Sequence, residues 1–158
     1  MAAEVTNVVI AGLGGQGVLK ASDILGEAAF QAGLDVKKAE VHGMSQRGGS
    51  VASDVRFGRC VLSPMVPRGE ADYLVVLAAD QVEPNRHVLK AGGVLIAPEI
   101  IDENALANKR SLNVALLGVL SRHLEVETAH WQAAIRASFP PALHEANIQA
   151  FELGRLTK

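Results

Sequence analysis

From Val5 to Ala11 the chain is almost continuously apolar and then runs into glycines, the pattern of a strand buried on both faces in a parallel sheet. The period then changes. Between Gln16 and Ala32 the apolar residues Val18, Leu19, Ile24, Leu25, Ala28 and Ala29 recur at helical spacing, and Gly33 supplies a C-terminal stop. Leu34–Val41 reads as a second strand, so the opening stretch has the order and length of a right-handed strand, helix, strand crossover. Val51–Phe57 differs, because Val51, Val55 and Phe57 alternate with Ala52, Asp54 and Arg56, which predicts a strand with one wet face, antiparallel or at an edge. Gly58-Arg59 fits a two-residue turn that returns the chain as Cys60–Leu62 and closes a hairpin.

Further along, Tyr73–Ala79 is again a buried apolar strand, Glu83–Ala91 a short helix that Pro84 can start, and Val94–Ala97 a strand after Gly92-Gly93. Leu112–Leu124 is apolar on most sides. Thr128 is placed to N-cap a helix with Trp131, Ala134 and Ile135 on one stripe, Pro140-Pro141 ends it, and Ala142–Leu153 forms a last amphipathic segment. The sum predicts an α/β fold: a single Rossmann-like domain over residues 1–158, with a mostly parallel sheet, one β-hairpin and a helical C-terminal third.

Composition narrows the function classes. With 158 residues, 49% of them apolar and 20% charged, the chain has enough apolar surface for one core and matches neither a disordered chain nor a coiled coil. Fifteen Lys and Arg against 17 Asp and Glu leave a formal charge of −2, and aromatics reach only 4%, so neither a nucleic acid nor an anionic membrane is expected as partner. The single cysteine, Cys60, excludes an internal disulfide, a Cys-based zinc site and a self-contained iron–sulfur cluster. It reads as a small core residue. No apolar run reaches the length of a membrane span and no signal-peptide pattern opens the chain, so a cytoplasmic location is expected.

Two segments carry candidate chemistry. Gly12-Leu13-Gly14-Gly15-Gln16-Gly17 matches G-x-G-x-x-G between a predicted strand and helix, where a tight turn and a helix N-terminus would favour a pyrophosphate. The alternative is that the same glycines let the first helix pack close to the sheet and let another subunit's backbone approach. The acid that should follow the second strand to hold a ribose has only Glu40 as candidate, set somewhat late. A P-loop is excluded because Val18 and Leu19 stand where Lys and Ser or Thr are required, and Lys20 is too late. The second segment is the polar loop Glu40-Val41-His42-Gly43-Met44-Ser45-Gln46-Arg47-Gly48-Gly49-Ser50, expected at the carboxyl end of the sheet and facing the glycine turn. Arg47 could clamp a phosphate or carboxylate, His42 could exchange a proton, and Gly48-Gly49 would let main-chain amides approach a ligand; the loop could equally dock another chain. Ser45 lacks the G-x-S-x-G setting of a hydrolase nucleophile, since Arg47 occupies the second glycine position, and the histidines form no metal-binding pair.

The strand and turn Val8–Gly17, the loop Glu40–Ser50 with Val55-Arg56-Phe57-Gly58, Ser63-Pro64, Asn113–Gly118 and Trp131–Gly154 together resemble the gamma-type subunit or domain of 2-oxoacid:ferredoxin oxidoreductases. The stretch Glu40–Val51 places the resemblance nearest the beta subunit of the indolepyruvate branch. One departure is the connection Glu99–Ser111, which is shorter than is usual in that family.

The resemblance implies a reaction in which an aryl 2-oxoacid of indolepyruvate, phenylpyruvate or phenylglyoxylate type and CoA give an acyl-CoA, carbon dioxide and a reduced acceptor. It implies thiamine diphosphate and iron–sulfur clusters on partner subunits, none bound by this chain alone, an obligate hetero-oligomer, and ferredoxin or NAD reached through those partners. Gly12, Gly14, Gly15, Gln16, Gly17, Glu40, His42, Ser45, Gln46, Arg47, Gly48, Gly49 and Ser50 would then form the surface nearest the active-site subunit, with Arg47 placed for an anionic contact to CoA. Two other readings remain open at this level: a stand-alone nucleotide-binding module and a purely structural assembly subunit.

Overall fold

A computed structural model describes residues 5–42 and 49–158. Strand β1 (Thr6–Leu13) leads through the glycine turn into helix α1 (Val18–Gln31), and β2 (Asp35–His42) follows. Next come β3 (Ser50–Gly58) and β4 (Ala71–Val76). A run of helical turns over residues 79–88, with α2 (Val82–Asn85) at its centre, joins β4 to β5 (Leu89–Ile96). The C-terminal third holds α3 (Leu112–Ser121), α4 (Thr128–Ser138) and α5 (His144–Leu156).

The strands form one sheet in the order β2-β3-β1-β4-β5. β1 pairs parallel to β4, and β4 to β5, whereas β3 runs antiparallel to both β1 and β2. β1, β2, β4 and β5 therefore share one direction and only β3 opposes them, so the sheet is mostly parallel, as expected. β1, α1 and β2 do form the expected crossover, but β3 fills the space between the two parallel strands, in register from Thr6↔Phe57 to Leu13↔Ser50 on one side and from Asp35↔Gly58 to His42↔Val51 on the other. The alternation in β3 correctly marks an antiparallel strand, yet it lies inside the sheet and not at its edge.

The hairpin is displaced from its expected place. It is made by β2 and β3, and Cys60–Leu62 forms no strand. The polar groups that would have built a second ladder are taken by side chains. The Val61 N–H donates to Asp35 Oδ2 at 2.7 Å, the Val66 N–H to Asp54 Oδ2 at 2.9 Å, and Arg56 Nη1 to the Ser63 carbonyl at 2.7 Å. These three bonds strap residues 59–68 across the sheet. Val61 takes the inward position and Cys60 is exposed, so the expectation of a core cysteine is overturned.

The two straps made by carboxylates respond oppositely to pH. Burial holds Asp54 above the ordinary carboxylate value, against the opposing Val66 N–H and Arg56, whereas the Val61 N–H holds Asp35 below it, outweighing burial with help from Lys37. Asp54 thus favours the folded state below the ordinary value, and that contribution is lost as pH rises through its elevated folded value. Asp35 contributes above the ordinary value, and its share is lost as pH falls through its depressed folded value. Asp54→Asn keeps an oxygen for Val66, and is expected to melt at the same or a higher temperature than wild type near pH 7, the advantage vanishing by about pH 4. Asp35→Asn should melt lower near pH 7, with the deficit closing in acid. Melting curves across that range check both signs; an Asp54→Asn deficit that grows with pH would reverse the first.

All of α1, α3, α4 and α5 cover one face of the sheet, where Val8, Ile10, Val55, Phe57 and Val75 meet Ile24, Leu25, Leu116, Leu120, Trp131 and Phe151. The other face is thinner, with Val9, Ala11, Leu74 and Val76 under Val66, Val82 and Val88. The crossover through α1 and the one through residues 79–88 leave in opposite directions along the sheet and lie on opposite faces, which gives both the same hand. The expected helix Glu83–Ala91 is cut short because Leu89 already begins β5, pairing with Ala71. Thr128 is the first helical residue of α4, and Glu127 occupies the cap position without a side-chain bond. Between β5 and α3 the short connection is three helical turns anchored by buried Ile101 and Leu106.

Candidate functional site

The carboxyl ends of β1, β2 and β4 lie at one end of the sheet, and the glycine turn sits among them. Its shape is imposed by two residues. Leu13 donates its N–H to Gln16 Oε1 at 2.7 Å while the Gln16 N–H returns to the Leu13 carbonyl at 3.1 Å, so Gln16 clips the turn shut. Gly15 and Gly17 adopt φ of 89° and 84°, which glycine tolerates without strain. Gly12 serves close packing: a Cβ there would lie 2.8 Å from Gln16 Oε1 and 3.1 Å from Leu77 Cβ. That packing role is the second of the two readings the sequence left open.

Asn113, at the start of α3, is buried and completes the turn from the far side. Its Nδ2 donates to the Gly17 carbonyl at 3.1 Å, and its Oδ1 accepts the Val114 N–H at 2.9 Å. The helix α1 is thereby tied at its first turn to a helix beginning almost 100 residues later.

The polar loop meets the glycine turn where its described end begins. The Gly14 N–H donates to the Gly49 carbonyl at 2.9 Å, and Ser50 Oγ donates to Gln81 Oε1 at 3.0 Å just beyond β4. Gly12, Gly14, Gly15, Gln16, Gly17, Gly49 and Ser50 are therefore brought together. Ser45, Gln46, Arg47 and Gly48 lie outside the described residues. His42 ends β2 opposite Val51. Glu40 is exposed on β2 opposite Ser53, with the whole of β3 between it and β1. At strand spacings of about 4.8 Å this puts it roughly 10 Å from the strand that feeds the turn, not on the strand next to β1 that carries the ribose-binding acid of a dinucleotide site.

On the other flank, between the glycine turn and the start of α3, lies a cleft of about 510 Å³ that the motifs alone do not reveal. Gly15–Gly17 form one wall, and Lys20, Lys109, Arg110 and Phe139 line the others. Lys20 Nζ donates to the Ser138 carbonyl at 2.8 Å and stands 5.2 Å from the centre of the Phe139 ring. The backbone N–H of Arg110 donates to Asn108 Oδ1 at 2.9 Å, which caps the helical turn that carries Lys109 and Arg110. The one sequence signal for this cleft is the dibasic pair Lys109-Arg110 immediately before an apolar helix. Among the described residues, no three His, Cys, Asp or Glu side chains gather into a metal-binding group, and no helix is long and apolar enough to cross a membrane.

Comparison with known proteins places these features in a family context. Residues 7–157 match the family model described as pyruvate ferredoxin/flavodoxin oxidoreductase. Indolepyruvate oxidoreductase subunit IorB of Pyrococcus horikoshii is 36% identical over 190 aligned positions, covering 94% of this chain and 93% of the relative. Because those positions outnumber the 158 residues here, the relative carries inserted segments that this chain lacks. The 2-oxoglutarate synthase subunit KorC of Methanothermobacter marburgensis is 29% identical, covering 92% of each chain. In fold, the chain is similar to the gamma subunit of a keto/oxoacid ferredoxin oxidoreductase from Geobacter sulfurreducens, with a TM-score of 0.79 and 23% identity over 96% of this chain and 94% of that one.

Proposed function

The chain belongs to the pyruvate ferredoxin/flavodoxin oxidoreductase family, as its motifs led us to expect, and on that premise we propose that it is a subunit without cofactors of its own in a 2-oxoacid:acceptor oxidoreductase acting on an aryl 2-oxoacid. The observation that carries the substrate class is the 36% identity, across 94% of the chain, to a protein named as an indolepyruvate oxidoreductase subunit. In this reading CoA accepts the acyl group, and thiamine diphosphate with iron–sulfur clusters carries the carbon and electron chemistry on partner subunits. The donor set of this chain does not fit a cluster: its only thiol, Cys60, is exposed and belongs to no metal-binding group among the described residues. Electrons then pass to ferredoxin or NAD through the partners, in the reducing cytoplasm.

Within that assembly the glycine turn and the loop Glu40–Ser50 face the catalytic partner. The reading is supported by the glycine turn and the described ends of that loop, His42 and Gly49, which stand at the carboxyl end of a mostly parallel sheet, where ligand crevices of open α/β sheets form. Arg47 supplies an anionic contact to CoA.

The chain co-produced with its thiamine-dependent partner is expected to oxidise indolepyruvate or phenylglyoxylate in a CoA-dependent manner, and neither subunit alone should do so. Arg47→Ala should raise the KM for CoA roughly ten-fold or more with kcat nearly unchanged, as loss of a charge-assisted hydrogen bond predicts. Full activity of the isolated chain, or a clear preference of the complex for 2-oxoglutarate, would overturn the reading.

A further inference from the structure

The two edges of the sheet, β2 and β5, are not alike. β5 is interrupted by a register shift between Ala71 and Tyr73, the kind of irregularity that blunts an edge. β2 is regular, in step with β3 from Asp35↔Gly58 to His42↔Val51, so alternate residues along it direct N–H and C=O groups outward with no strand to receive them among the described residues. Lysines commonly guard such an edge. Here both are engaged within the chain, Lys37 with Asp35 at 3.4 Å and Lys38 with Asp23, whereas exposed Glu40 has no cation among the described residues. Exposed apolar side chains flank this edge on both faces. Val36 and Lys38 lie under α1, so alternation puts Val41, 50% exposed, on the opposite face. Above the edge, Phe30 is 66% exposed and continues the stripe of α1 in which Asp23 and Gly26 stand over Lys38.

We propose that the free edge of β2 pairs with the same strand of a second copy of this chain, antiparallel about a two-fold axis at Ala39. An axis normal to the sheet joins two such edges into one sheet and keeps α1 of both copies on the same face. It sets one residue opposite its own copy and pairs the flanking residues outward from there. With the axis at Lys37, Lys38 or Glu40 a charge would face itself, and at Val36 or Val41 only one end of the strand would pair. At Ala39 the ladder runs from Val36 to His42, and every charge on it finds a use. Lys38 stands opposite Glu40 of the second copy, and the stem of Lys37 covers Val41 of the second copy, each relation occurring twice by symmetry. The helices fit as well. α1 packs on β2 and β3, so at strand spacings of about 4.8 Å its axis falls roughly 10 Å from that of its copy, a helix-packing distance that brings the stripe carrying Phe30 into the seam. This edge is a different side of the molecule from the glycine turn, and the pairing does not depend on the aryl-oxoacid reading.

Sedimentation equilibrium of the full chain tests the pairing. A monomer–dimer equilibrium is expected, with a species of twice 16.6 kDa dominant by about 100 µM. The register gives a sharper test. In a Cys60→Ser background, Ala39→Cys should form an intermolecular disulfide on mild oxidation and Lys37→Cys should not, because only a residue on the axis meets its own copy within the roughly 4.4–6.8 Å that a disulfide spans between Cα atoms. Glu40→Lys and Lys38→Glu each set like charges opposite one another and should weaken the dimer roughly ten-fold or more. An equimolar mixture of those two variants should regain it, since every opposed charge pair in the mixed dimer is again of opposite sign. Phe30→Ser should weaken the dimer as well. A chain that stays monomeric, a dimer that lacks the Ala39 cross-link, or a mixture no better than its components would overturn the proposal. If the chain is monomeric and Glu40→Lys instead weakens its capture of the co-produced catalytic partner, the edge belongs to that partner and not to a second copy.

Discussion

Gly154→Ala is expected to lower stability by about 3 kcal/mol, because the clash is with backbone that no rotamer change can relieve. Helices α3 and α5 cross where Gly118 lies against the backbone of α5 and Gly154 against that of α3. A Cβ on Gly154 would be driven into the Ala115 carbonyl and stand 3.0 Å from the Val119 nitrogen. A Cβ on Gly118 would meet the Phe151 carbonyl in the same way and stand 3.0 Å from the Arg155 nitrogen. Either substitution must push the helices apart and loosen the layer in which the Trp131 and Phe151 rings lie 5.4 Å apart. The helix propensity gained by replacing glycine offsets at most about 1 kcal/mol. For a chain of this size the net loss corresponds to a fall in melting temperature of roughly 6–12 °C. Gly26→Ala is the matched control, since Gly26 is also buried in a helix but a Cβ there would meet only the Lys38 side chain at 3.4 Å and Val36 at 3.5 Å. It should melt at or above wild type. Equal melting of Gly154→Ala and Gly26→Ala would show that the helix crossing is not the tight contact described.

Gly17→Ala carries the second large effect, and it falls on the candidate site. Its φ of 84° costs a residue with a Cβ about 1–2 kcal/mol. The new Cβ would also stand 2.5 Å from Asn113 Nδ2, expelling the side chain that ties α1 to α3. Together the two terms should reach about 3 kcal/mol and open the turn, which a fall in melting temperature would register. Gly15→Ala separates the terms, because Gly15 shares the positive φ while a Cβ there meets nothing within 4 Å. It should show the backbone cost alone. In an Asn113→Ser background the Gly17→Ala penalty should shrink toward that of Gly15→Ala. A penalty unchanged by that background would remove Asn113 from its place at the turn.

Both predictions concern glycines that the amino-acid sequence displays but does not explain. The motif Gly12–Gly17 is legible because strand, turn and helix are contiguous, and local spacing alone identifies it. Its purpose is less legible. Gly12 is hemmed in by Leu77 as well as by its neighbours Gln16 and Val18, Gly17 by Asn113, and the acid expected to complete a dinucleotide site is displaced by a strand that periodicity could not locate. The hairpin was misplaced for a similar reason: Gly58-Arg59 is a competent turn, but Asp35, Asp54 and Arg56 reach across the sheet and take the polar groups that a returning strand would need. Cys60 followed that error, since its inward position depended on the strand that does not form.

Periodicity records which side of a segment is buried, because the hydrophobic effect acts on each residue where it stands, and this is enough for β1, α1, the alternating face of β3 and the stripe of Trp131, Ala134 and Ile135. The same local reading found the loop and turn whose residues identify the family. Strand order, the seat of β3 between β1 and β2, the approach of Gly118 to α5 and of Gly154 to α3, and the gathering of Lys20 with Lys109 and Arg110 depend instead on pairs far apart in the chain. Those pairs meet only because the helices share one face of the sheet and must pack to crystal-like density there. The cleft between the glycine turn and the start of α3 is therefore visible only in the tertiary structure, which brings its walls together.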